Sequence, residues 1–188
     1  MPHFLISGIA DLVTGVGAVI EEHGGTYVGV DDIDDVGKAC AEAGERRFDG
    51  YVQLPATFTV AGDSAVSRIH HFFSDGVLAR FPAVSAALPV LAEDARITFV
   101  MGVLPPEVST EDDVSARAAL VRVLGHGARA DGSAGLRILV LGSGSSAREI
   151  GLSVLGRNHE LEELVADFAA GSYADWRVEL LGMMSADG

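Results

Sequence analysis

The residues with the most chemical potential lie on a predicted helix that opens near Thr110. Thr110, Asp113 and Arg117 sit three and four residues apart, which places them on one helix face. A carboxyl group beside a cation suggests proton transfer, but the acidities oppose it. An aspartate starts near a pKa of about 4, and an arginine one turn away favours its charged form, so Asp113 would be ionised and unable to donate. Arg117 is too basic to exchange protons. The same residues suit a helix start: Thr110 as N-cap, Asp113 completing a capping-box-like pair, and Glu111 and Asp112 complementing the helix dipole. A second group, Ser7-Gly8-Ile9-Ala10-Asp11 followed by Thr14, forms a turn whose glycine and helix N-terminus could receive a pyrophosphate. Asp31 stands where an acid could bind ribose hydroxyls. The Gly/Ser run 142–146 could cradle a phosphate through backbone N–H groups, but no Gly-Lys-Ser/Thr follows, so a flexible connection is expected. His70 and His71 point about 100° apart on a helix and do not face one ligand, so no metal site is expected.

These residues are positioned by alternating strands and helices. Residues 3–6, 26–30, 49–54, 96–100, 136–141 and 176–181 read as strands. Helices are expected after Gly8 to His23, over 36–47, as one or two within 64–92, from 110, and over 158–170. Within 64–92 an apolar stripe runs through Ile69, Phe72, Phe73, Val77, Leu78, Phe81, Val84, Leu88 and Leu91. Strands joined through helices imply parallel neighbours covered on both faces. The expected fold class is α/β, a Rossmann-like doubly wound sheet, mostly parallel, with about six strands and helices on both faces. One domain, 1–188, is expected.

The runs from Arg96 to Gly102, Ser115 to Leu120 and Gly135 to Gly142 resemble the catalytic half of the short-chain dehydrogenase/reductase superfamily. The turn Ser7-Gly8-Ile9-Ala10-Asp11 with Thr14 is similar to that of its enoyl-reductase branch. The resemblance implies a Ser at the end of the strand before the helix, and a Tyr and a Lys on the helix. The Ser place falls at Met101 or Gly102, the Tyr place at Asp113 (Thr110 in the enoyl-reductase spacing), and the Lys place at Arg117, so all three roles are vacant. A structural Asn place falls near Asp75 or Gly76. Gln53-Leu-Pro-Ala56 replaces the family's Asn-Asn-Ala-Gly. The resemblance also implies cofactor contacts at Ser7, Gly8, Ile9, Thr14 and Asp31, with NAD favoured over NADP. It further implies that an edge strand is lost after residue 30, and that the long helix ending in Ala86-Ala-Leu-Pro89 joins the Arg117 helix in a dimer interface.

Composition narrows the partners. The chain has 188 residues and a formal net charge of −14, with a pI near 4.6. That balance disfavours nucleic acid and anionic membrane, which need clustered Lys and Arg. Cys40 is the only cysteine, so neither an intrachain disulfide nor a cysteine metal cluster can form. With no leader pattern and no spanning apolar run, a cytoplasmic location is expected.

Three functions follow as expectations. The first is a catalytically silent reductase-like protein, acting as a homo-oligomer or as the non-catalytic partner of an active reductase. The second is an NAD(P)-dependent ketone or enoyl reductase with relocated acid–base residues. Tyr27, Tyr51 and Tyr173 all miss the family's phenol place, so His70 or His126 would have to donate. The third is a nucleotide or small-ligand binder using the vestigial crevice.

Overall fold

The computed structural model describes residues 1–44, 46–55, 62–101, 111–142, 144–158 and 163–164. The first strand, β1 (His3–Ser7), is followed by helix α1 (Ala10–Glu22), β2 (Thr26–Val30), α2 (Val36–Glu42) and β3 (Phe48–Gln53). Then come α3 (Ala65–Phe73), a π-helical turn at Ser74–Leu78, α4 (Arg80–Ala87) and the ten-residue β4 (Leu91–Val100). The 21-residue α5 (Glu111–Asp131), β5 (Arg137–Leu141), α6 (Ala147–Val154) and the two-residue β6 (Glu163–Leu164) complete the order.

The strands form one sheet in the order β2-β1-β3-β4-β5-β6. β1 to β5 are parallel, and β6 pairs antiparallel with β5. The Rossmann-like α/β expectation holds. Strand order reverses between β2-β1 and β3-β4, the place where open α/β sheets form a crevice outside their carboxyl ends. β2 is the outermost strand on that side, as expected from the direct passage of α2 into β3.

Alternating side chains divide the interior in two. Phe4, Ile6, Val52, Leu54, Val100, Leu139 and Leu141 face α1 and α6, where Val13, Val16, Ile20, Ile150 and Val154 cover them. On the opposite face Leu5, Tyr51, Ile97, Phe99 and Ile138 pack with Val36, Cys40, Val84, Val121 and Leu124 of α2, α4 and α5. Cys40 is buried, and burial pushes its thiol up.

Several boundaries differ from expectation. Residues 91 and 92, expected as helix, begin β4, because Pro89 in a short 3-10 turn ends the helical run. α2 stops at Glu42, short of residue 47, and Gly44 follows with φ +61°. α6 follows the 142–146 run expected as a connection, in residues for which no element was expected, and is held by a capping box. Ser146 Oγ accepts the Glu149 N–H, and the Glu149 carboxylate accepts the Ser146 N–H. In the stretch expected as a helix over 158–170, residues 163 and 164 instead pair with β5. There sheet edge pairing overrides a helical pattern. The expected strand at 176–181 lies outside the described residues.

Candidate functional site

The carboxyl ends of β1, β3 and β4 hold a buried polar cluster. Ser7 and Gln53, the last residues of β1 and β3, are paired in register, and their side chains meet the phenol of Tyr51. Ser7 Oγ lies 2.8 Å from the Tyr51 hydroxyl, and Gln53 Nε2 donates to that hydroxyl at 3.1 Å. Gln53 Nε2 also donates to the backbone carbonyl of Arg80, at the start of α4. Burial pushes the Tyr51 phenol up to about 12, although the bonds from Ser7 and Gln53 and the charge of Arg80 pull the other way.

Two arginines complete the cluster. Arg80 is 4% exposed and Arg117 is 5% exposed. The Arg117 guanidinium lies over the Phe72 ring, 5.1 Å from its centroid, a cation–π contact. Arg80 Nη1 donates to the carbonyl of Val100 at a long 3.4 Å. Burial, then repulsion from Arg117, holds the Arg80 guanidinium down at about 10. It is still protonated at neutral pH.

The turn after β1 brings Ser7, Gly8 and Ile9 together, with Asp31 beside them at the end of β2. Gly8 has φ +139°, a conformation suited to glycine. A Cβ there would stand 2.6 Å from Leu54 Cβ and 2.8 Å from the Pro55 carbonyl oxygen. The glycine thus accommodates the chain's own β3 extension. The Gly8 N–H donates to Val30 O, and the Ile9 N–H to Pro55 O at 2.9 Å. Ile9 precedes α1 without any side-chain cap bond, so Thr14 does not cap the helix. Thr14 and Asp31 are exposed.

A nicotinamide dinucleotide, the cofactor implied by this fold, can be tested against these residues. Asp31 remains available for a ribose. The amides a pyrophosphate would need at Gly8 and Ile9 already donate within the chain, and Ser7 is turned toward Tyr51. In the place where the reductase lysine would reach the nicotinamide ribose, Arg117 is buried against Phe72. Ser7, Gly8 and Ile9 therefore do not offer a dinucleotide free contacts, whereas Asp31 does.

Other expected residues are dispersed. Gly102, Thr110 and Tyr173 lie outside the described residues, and Asp113 is described only as part of the α5 backbone. Asp75 and Gly76, between which the resemblance left the family's Asn place open, are both in the π-helical turn, and Asp75 is paired there. Its carboxylate takes the Ser74 hydroxyl at 2.7 Å and lies 3.1 Å from His71 Nδ1. His70 is exposed and meets the His71 ring edge to face at 5.8 Å. His126 is buried nine residues beyond Arg117 on α5, about 13 Å along the axis. That displacement runs toward the amino ends of the strands, away from the crevice. The 142–146 run ends in the α6 cap, with Ser145 Oγ donating to Gly142 O. Arg80 was not singled out by its sequence position. Tyr51 and Gln53 at i and i+2 on an apolar strand were the available signal for a polar cluster on one sheet face.

No protein-family model and no curated protein matches the sequence. Solved structures do match the fold. A Burkholderia multivorans protein described as a short-chain alcohol dehydrogenase aligns with TM-score 0.59 and 14% identity, over 82% of this chain and 89% of that one. A carbonyl reductase from Pseudomonas aeruginosa PAO1, in complex with NADP, aligns with TM-score 0.61 and 16% identity, over 83% and 90%. BdcA in complex with NADPH aligns with TM-score 0.50 and 20% identity, over 74% and 68%. The chain shares the Rossmann-like α/β fold of these proteins. Among the described residues no helix is long and apolar enough to cross a membrane.

Proposed function

We propose that this protein is a reductase-fold protein that does not turn over, and that it acts by association, as a homo-oligomer or as the non-catalytic partner of an active reductase. The observation that carries the reading is Arg117. Hydride transfer to a carbonyl needs a proton donor beside the reacting oxygen. The residue in the lysine place is a guanidinium that cannot exchange protons, buried over Phe72. Tyr51, of the described phenols the one nearest that end of the sheet, sits inside the fold, and burial pushes it up to about 12. Its hydroxyl contacts Ser7 and Gln53. His70 is exposed on α3, and His126 lies about two and a half turns further along α5.

An association surface supports the second half of the proposal. α3 buries Phe72 while Val66 and Ile69 stand 78% and 56% exposed, and Leu78 in the following turn is 50% exposed. Large apolar side chains exposed together on one helix and its extension suit a protein partner.

Turnover tests the proposal directly. Purified protein is assayed with NADH and NADPH on ketone and enoyl substrates, and each cofactor is titrated by calorimetry. The expected result is no substrate-dependent oxidation and no binding up to millimolar cofactor. Robust turnover would end the reading.

A further inference from the structure

We propose that Arg80 anchors a binding site for a small oxyanion, carboxylate or phosphate, at the carboxyl ends of β3 and β4. A guanidinium is a planar fork of donors suited to both groups. Here it is 4% exposed, and burying a cation is costly unless an anion accompanies it. Its bond to Val100 O is long, and no carboxylate among the described residues pairs with it. The charge facing it is Arg117, another cation. Among the described residues, the other titratable group acting on it is Tyr51, which is neutral below pH 10.

One further feature marks the position as a site. Arg80 follows directly on the π-helical turn Ser74–Leu78, and such turns recur at functional sites. A ligand there would contribute the missing negative charge and reach the crevice where the strand order reverses. The proposal does not require catalytic silence. Turnover would leave the site standing, and an empty site would leave the silent reading standing.

Titration of the wild-type protein with sodium phosphate and with sodium acetate, balanced against sodium chloride at constant ionic strength, tests it. Thermal unfolding and the side-chain Nε–H resonances of the arginines are followed together. One or both anions should raise Tm with concentration and shift the Arg80 resonance more than that of Arg148, an exposed surface residue. A response to phosphate alone identifies a phosphate-type ligand, and a response to acetate alone a carboxylate. Arg80→Lys keeps the charge but loses the fork, and should weaken binding roughly tenfold or more; Arg148→Gln should leave it unchanged. If neither anion moves the wild-type Arg80 resonance at tens of millimolar, or if only exposed arginines respond, the proposal is overturned. That readout decides the matter even if the lysine variant fails to fold.

Discussion

Tyr51 lets the interior be read from solution. Its phenol lies in the sheet core, and burial, opposed in part by bonds from Ser7 and Gln53, raises it from 10.0 to about 12. The folded state therefore prefers the neutral phenol. Its contribution to stability is complete below pH 10 and is lost as pH climbs through about 12. Near-ultraviolet phenolate absorbance should show one of the three tyrosines ionising late, together with unfolding. Tyr51→Phe should flatten that alkaline loss and lower neutral stability by about 1 to 3 kcal/mol, because Ser7 and Gln53 lose their shared partner. An unchanged alkaline limb in urea unfolding would contradict this assignment. The arginines show where sequence reading stops at this scale. Arg117 stood out through its neighbours on a helix, whereas Arg80 did not, because its burial arises from β3 and β4 meeting α4. Ser7, Gly8 and Ile9 were correctly grouped at one turn. The amides of that turn are satisfied by Val30 and Pro55, which pairing across the sheet brings near.

Secondary elements carried clear signals wherever they were long and periodic, as in α1, α5, β1, β2 and β5. The shorter ones were harder. The capping pair Ser146 and Glu149 announces α6, but the glycines and serines in front of it read as a linker. β6 exists because β5 offers an edge, a long-range cause that a local pattern cannot contain. The packing of α6 on α1 gives a prediction at this level. A Cβ on Gly151 would stand 2.7 Å from both Val19 Cβ and Val19 Cγ1, and Val19 Cβ cannot swing aside. Gly151→Ala gains up to about 1 kcal/mol of helix propensity and loses about 1 to 3 kcal/mol to overpacking. The net effect should be a lower urea midpoint. A higher midpoint would mean that the two helices separate easily.

For the molecule as a whole, the class of fold was legible because strand and helix periods alternate and the apolar runs are strong. The sheet edge at β2 was legible too, from the short passage between α2 and β3. The proposed silence rests on missing residue types, since a proton donor must be a particular side chain in a particular place, and the proposed association rests on the surviving apolar pattern. If α3 mediates it, Val66→Asp with Ile69→Asp should shift the protein to a smaller species in analytical ultracentrifugation. The smaller species should stay folded, because both side chains are largely solvated, and its Tm should lose the concentration dependence that association confers. An unchanged sedimentation profile would move the contact to another face.

The Gly8 turn has a kinetic consequence. Its two donors already hold Val30 and Pro55, so a guest that needed those two amides would first have to prise the tail of β3 loose, and its entry would be slow.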